Sequence, residues 1–233
     1  MSAPSLSGLH DRWSTPIGVH VWSQAAQHHD TLIRVLKMMR WQDPKADAEA
    51  AFYASPDDLL NRIRIPEWTD LVRFLIDGVS RTVAHANQAQ WGAQHPAFQI
   101  ALRGLWCQMS NRAAHHDVHT HGNCSWSGVY CLQVDPSPRR ESHAVFGARN
   151  GVTRFYGPYA NLLAGAHNDF GNAYLQNNVW DIDPIPGQLV VFPSWLAHQA
   201  MPYEGEQDRI ILSFNVSVHA ASGRDETHAY ANA

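Results

Sequence analysis

The sequence predicts an α+β, mainly β fold: N-terminal helices packed outside a set of short strands that close into a barrel or a double-sheet jelly roll. Three observations carry this. Apolar residues at helical spacing stop near residue 95, and from Phe98 the texture turns to short β-branched and aromatic runs punctuated by Gly, Pro, Asn and Asp. These runs recur at short intervals to residue 219. In the last run, Ile210, Leu212, Phe214, Val216 and Val218 alternate with Ile211, Ser213, Asn215 and Ser217, the period of a strand with one polar face.

Taken in chain order, Gln24 to Arg40 places Leu32, Val35, Leu36 and Met39 at helical spacing, and Asp43-Pro44 ends that helix. Ser55-Pro56-Asp57-Asp58 reads as a helix start, with Ser as N-cap, Pro at the first helical position and acids in the first turn. Pro66 opens a longer helix carrying Leu71, Leu75 and Val79, ending near Trp91-Gly92. The expected strands are 98–109, 115–121, 127–134, 152–156, 188–192, 197–201 and 209–219. Residues 161–183 are weakly patterned and read as a long loop, the kind that often binds or covers ligands. No linker-like stretch interrupts the chain, so 1–233 reads as a single domain, with 1–95 as helical support and 96–220 as the jelly-roll core.

Charged residues make up only 16% of the chain and the formal net charge is −4, with two lysines, Lys37 and Lys45. That excludes the Lys/Arg-rich face of a nucleic-acid binder or of a protein held on an anionic membrane. No run of apolar residues reaches membrane-spanning length. The N-terminus has neither the basic nor the apolar region of a signal peptide. Cys107, Cys124 and Cys131 are odd in number and lack Cys-x-x-Cys spacing, so free thiols and a cytoplasmic location are expected.

The excess residue is histidine: 15, against 17 lysines plus arginines. Histidine is the commonest metal ligand. His119 and His121, two apart in an expected strand, can point to one face and reach one metal. His198, at the start of a later strand, is the natural third ligand, and three protein ligands leave positions open for substrate or oxygen. His115-His116-Asp117 spells a rival His-x-Asp pair in which Asp117 supplies a carboxylate. His167 stands alone in the long loop, and His115 and His116 read as surface or supporting residues. Arg209 opens the last strand on the face of Ile211 and Ser213. Inside a barrel such a charge needs an anionic partner, and a carboxylate is its usual bidentate match.

His119-Thr120-His121 followed by Ser127-Gly128-Val129-Tyr130, then Pro186-Gly187, Phe192-Pro193-Ser194 and His198, then Arg209-Ile210 through Ser213-Phe214-Asn215, together resemble a family of 2-oxoglutarate/Fe(II)-dependent oxygenases. Trp106 and Thr15-Pro16-Ile17 also resemble family positions. The resemblance implies a double-stranded β-helix, the cupin-like jelly roll. It implies Fe(II) on His119, His121 and His198, and 2-oxoglutarate held by Arg209, with O2 as oxidant and succinate and CO2 as products. Beside Arg209, Ser213 is expected as a second carboxylate donor, and Tyr130 and Gln108 as further co-substrate contacts. Trp126 and Trp195 are expected to line the substrate pocket. The implied reaction is hydroxylation or desaturation of a small molecule or a peptide-like substrate. Two other readings of the same residues remain: a three-histidine cupin dioxygenase that dispenses with 2-oxoglutarate, and a jelly roll that binds metal without catalysis.

Overall fold

The computed structural model describes residues 14–91, 96–158 and 178–221. Ten strands and four helices follow in chain order: β1 (Gly18–Val21), α1 (Ala25–Gln42), β2 (Phe52–Ala54), α2 (Leu59–Arg62), α3 (Pro66–Trp91), β3 (Phe98–Ser110), β4 (Ala114–His119), β5 (Trp126–Gln133), α4 (Ser137–Glu141), β6 (Thr153–Tyr156), β7 (Val179–Ile182), β8 (Gln188–Pro193), β9 (His198–Tyr203) and β10 (Arg209–Ala220). They form two antiparallel sheets, one of order β1-β8-β5-β10-β3-β2 and one of order β4-β9-β6-β7.

The larger sheet is buried on both faces, and the two faces differ in chemistry. Alternate residues Leu105, Cys107, Met109, Tyr130, Leu132, Leu189, Val191, Ile210, Leu212, Phe214 and Val216 join Leu32, Leu36, Leu71, Leu75, Val79 and Val83 of the helices in one apolar core. Removal of that area from water drives the helices onto the sheet. Gly78 of α3 lets the helix approach: a Cβ there would lie 2.5 Å from Leu189. Gly128 of β5 leaves room for the Phe214 ring, which a Cβ would meet at 2.2 Å. The opposite face turns Trp106, Gln108, Val129, Arg209, Ile211 and Ser213 toward the smaller sheet. Phe155, Ile182, Val190, Phe192 and Leu196 form a second apolar cluster between the two sheets.

Expected and observed elements agree closely over β3, β5, β6, β8, β9 and β10 and over α1 and α3. The differences have physical causes. Residues 1–95 are not uniformly helical, because β1 and β2 lie among them. Both are edge strands held by β8 and β3, partners more than fifty residues away that no local pattern announces. Ser55 caps no helix; its hydroxyl accepts the Cys107 N–H at 3.0 Å, which ties the end of β2 to β3, and α2 starts at Leu59. β7 lies at the end of the stretch expected as a loop, while His167 falls outside the described residues. β4 ends at His119, so His121 is not on the strand. The three cysteines are free, and among the described residues no helix is long and apolar enough to cross a membrane.

Tyr130 and His29 join the helical layer to the sheet, with the tyrosine hydroxyl 2.6 Å from His29 Nε2 and both residues buried. Burial holds the His29 pKa below the ordinary histidine range, so the ring is neutral at pH 7. Tyr130→Phe is expected to lower the free energy of unfolding by about 1 kcal/mol, the usual cost of one lost hydrogen bond, as read by chemical denaturation.

Candidate metal and co-substrate site

Three backbone features bring three imidazoles together. In the pairing of β4 with β9, His119 stands directly opposite His198. His121, two residues past the end of β4, is fixed by its backbone N–H, which donates to the Ser194 carbonyl at 2.9 Å. That carbonyl belongs to the turn leading into β9, so one turn supports two of the three histidines. One ring nitrogen from each of His119, His121 and His198 lies within 4.8 Å of the others, and the Nε2 atoms of His121 and His198 are 3.3 Å apart. Nitrogens bound to one divalent ion at about 2.1 Å, at right angles, sit roughly 3 Å apart.

The tautomers follow from the partners. His119 Nδ1 is 2.7 Å from the Asp117 carbonyl and His198 Nδ1 is 2.9 Å from the Leu196 carbonyl. A carbonyl only accepts, so each Nδ1 carries the proton and each Nε2 presents a lone pair to the cluster. Burial holds the His198 pKa down to about 3. Burial, then the neighbouring His119 and His116, hold that of His121 down to about 4. Both rings are neutral at pH 7, the form that binds a metal. Among the described residues no carboxylate joins this cluster. The rival pair lies apart from it: Asp117 is 95% exposed and faces His115 at 3.5 Å. Cys124, half-buried, meets Ser194 Oγ at 3.0 Å.

The histidines line a cleft between the sheets, shared with Trp106, Gln108, Thr153, Arg209, Ile211 and Ser213. Arg209 sits 3% exposed at its inner end. Among the described residues its Nε has no hydrogen-bond partner, and its side chain makes one hydrogen bond, a 3.4 Å contact from Nη2 to Thr153 Oγ1. The other buried arginine, Arg140, shows what a structural guanidinium looks like. It donates to the carbonyls of Asp135 and Asn150, to Ser137 Oγ and to the Asp183 carboxylate. Arg209 has no such set, and burial depresses its pKa. A buried cation left this bare fits an anion entering the cleft.

The cleft brings together seven of the residues singled out from the sequence: His119, His121, His198, Arg209, Ser213, Gln108 and the family-like Trp106. Three others are placed elsewhere. Tyr130 belongs to the opposite face of β5, bonded to His29, so it is not a co-substrate contact. Trp126 shares that face and packs in the helix-side core. Side chains two apart or four apart on a strand point the same way, and here Trp126 and Tyr130 both turn from the cleft. Trp195 is 57% exposed on the turn before β9 and does not line the cleft. His116, read from the sequence as a surface or supporting residue, lines the cleft, and Thr153 also lines it but carries no signal in the sequence that assigns it to the site. Strand register, rather than any local motif, puts Thr153 opposite Ala200 and next to Arg209.

Residues 104–215 match the family model described as "Putative 2OG-Fe(II) oxygenase". No protein of curated function matches the sequence. Several solved structures share the fold. HygX from Streptomyces hygroscopicus, with nickel and 2-oxoglutarate bound, superposes with a TM-score of 0.54 at 12% identity over 91% of this chain and 85% of its own. The α-ketoglutarate-dependent epimerase SnoN from nogalamycin biosynthesis gives 0.54 at 11% identity over 89% and 79%. A Trichoplax adhaerens prolyl hydroxylase in complex with a hypoxia-inducible-factor peptide gives 0.52 at 12% identity over 94% and 88%. The fold is thus the double-stranded β-helix. Residues 104–215, 112 of the 233, are similar to the 2-oxoglutarate/Fe(II) oxygenases.

A buried cation without an anion destabilises the ligand-free protein. Arg209→Met, which keeps the volume and removes the charge, is therefore expected to raise the stability of the ligand-free chain by about 1–3 kcal/mol, measured by denaturant titration.

Proposed function

We propose that this chain is an Fe(II)- and 2-oxoglutarate-dependent oxygenase in which His119, His121 and His198 hold the metal and Arg209 holds the far carboxylate of 2-oxoglutarate. The observation that carries the reading is the bare guanidinium of Arg209, buried in the same cleft as three lone pairs that converge. A dicarboxylate keto acid satisfies both ends at once. Its keto acid end chelates the metal, and its far carboxylate gives the guanidinium the bidentate partner it lacks. Ser213, on the same face of β10 two pairs along from Arg209, is the second donor to that carboxylate, and Gln108 and Thr153 complete the polar wall.

When bound, Fe(II) with 2-oxoglutarate and O2 supplies the oxidising chemistry, in which 2-oxoglutarate becomes succinate and CO2. The protein's own residues do the rest. The Asp117 and Leu196 carbonyls keep the Nδ1 protons of His119 and His198 away from the metal. Phe155 and Phe192, both buried against His198, exclude water from the back of the site. Trp106 and His116 are left facing the outer part of the cleft, where the prime substrate enters. The reaction is hydroxylation or desaturation of a small-molecule or peptide-like substrate.

Three neutral histidines are also the donor set of cupin dioxygenases that bind substrate directly. That reading leaves Arg209 without a role. Anaerobic addition of 2-oxoglutarate to the Fe(II)-loaded protein separates the two: a visible metal-to-ligand charge-transfer band is expected, and its absence together with O2 uptake in 2-oxoglutarate-free solution would favour the second. Arg209→Gln is expected to weaken 2-oxoglutarate binding at least 100-fold, about 3 kcal/mol, while metal affinity is kept. By isothermal titration with Ni(II), His119→Ala, His121→Ala and His198→Ala each lose metal binding, and Asp117→Ala retains it.

A further inference from the structure

The cleft is walled on one side by a contact between the two sheets: the Phe52 ring of β2 lies 5.9 Å from the His116 ring of β4, and His116 in turn lies 4.5 Å from the His119 ring. Among the described residues both β2 and β4 are the end strands of their sheets, so two strand edges meet at this wall. The β2 edge has a definite hydrogen-bonding character. Ala51 O accepts from the Asn111 N–H and Ser55 N–H donates to Cys107 O, both on the β3 side at 2.9 Å. In an antiparallel ladder the bonded positions alternate. Residues 51, 53 and 55 therefore face β3, and the N–H and C=O groups of Phe52 and Ala54 face outward. They open into a second groove, lined by Asp43, Lys45, Asp47, Phe52, Tyr53 and Ala54 among others. Phe52 borders this groove and touches the cleft wall, so the two spaces adjoin.

We propose that the prime substrate is an extended polypeptide segment that adds as a short strand to the free edge of β2, sending one side chain past Phe52 and His116 to the metal. Two donors and two acceptors spaced along an edge match main chain and little else; strand addition takes its affinity from such bonds and its selectivity from alternate side chains. The cleft beyond this wall suits a neutral side chain: apart from Arg209, no side chain lining it carries a fixed charge. The groove offers one lysine and two aspartates rather than a block of one sign, so recognition rests on backbone. In the reaction one oxygen atom of O2 enters a C–H bond of the segment and the other enters succinate, while 2-oxoglutarate loses CO2. The inference rests on the oxygenase reading above.

The test uses the full chain loaded with Fe(II) and 2-oxoglutarate under 18O2. The probes are pools of ten-residue peptides, each fixed at its central residue and random elsewhere, with the free amino acids as a separate pool. At least one peptide pool is expected to gain the label, and the free amino acids to gain none. Ala54→Pro, which deletes an outward N–H at an exposed position, is expected to cut labelling at least fivefold, and Phe52→Ala to reduce it. Both variants are expected to keep the thermal stability, 2-oxoglutarate affinity and substrate-free succinate formation of the parent. Labelling that is unchanged in Ala54→Pro, labelled free amino acids, or succinate formed with no peptide labelled would each overturn strand addition and leave the oxygenase reading intact. No succinate from the parent under any condition would overturn both.

Discussion

Arg209 is buried between the two sheets without an anion, and the energetics of the whole fold are set against that burial. A guanidinium at 3% exposure with an unpartnered Nε is a standing cost of several kcal/mol, even after relaxation of the surroundings. The fold must offset it elsewhere. The helix-side core does so: α1 and α3 turn Leu32, Leu36, Leu71, Leu75 and Val79 onto the far face of the same sheet. The larger sheet therefore has two opposed roles. One face provides the apolar burial that stabilises the fold, and the other carries the charge that destabilises the ligand-free state and gives an anion its reason to bind.

The histidine cluster is arranged by backbone rather than by side-chain partners. Metal sites commonly fix their imidazoles through carboxylates, but here His119 and His198 are oriented by main-chain carbonyls two residues before each of them. Because these carbonyls are local, each ring is set by the same short segment that carries it. The third ring depends on the turn at Ser194, whose carbonyl holds the His121 N–H and whose hydroxyl meets Ser127 and Cys124. Ser127 continues to Asn215 Oδ1, so a line of small polar groups ties β5, β10 and the turn after β8 together at the cluster. The serines and the asparagine of the sequence motifs thereby gain a physical role, because they hold the frame in which the histidines converge.

How much of the molecule is legible in the sequence follows from the range of the interactions involved. β10 announces itself because period-2 alternation is local, and its polar face is the cleft face, with Arg209 and Ser213 inside. Strand pattern and motif spacing likewise lead to His119, His198 and Gln108, all of which line the cleft. They mislead for Tyr130 and Trp126, because alternation says which residues share a face but not which face meets the helices. Here the helix layer captures the face with the larger aromatics. The edge strands β1 and β2 are invisible, since three or four residues paired to distant strands leave no periodic signal. Strand parity sets His121 beside His119, whereas the structure delivers it from a loop by one backbone hydrogen bond.

Among the described residues no carboxylate joins the histidine cluster, and in the proposed reading that absence and the bareness of Arg209 are two sides of one charge balance. Three neutral imidazoles leave a divalent ion with its whole charge, so the ion alone is held only by lone pairs. A ligand carrying two negative charges compensates both the ion and the guanidinium, each in a water-poor cleft where the attraction is strong. In the proposed reading, metal and co-substrate bind with positive coupling, because each supplies charge that the other needs, and by reciprocity each raises the affinity for the other by the same factor. A carboxylate at position 121 would neutralise part of the metal charge in advance and weaken that coupling. In the proposed reading, the histidine there makes the metal depend on the dicarboxylate that Arg209 would receive.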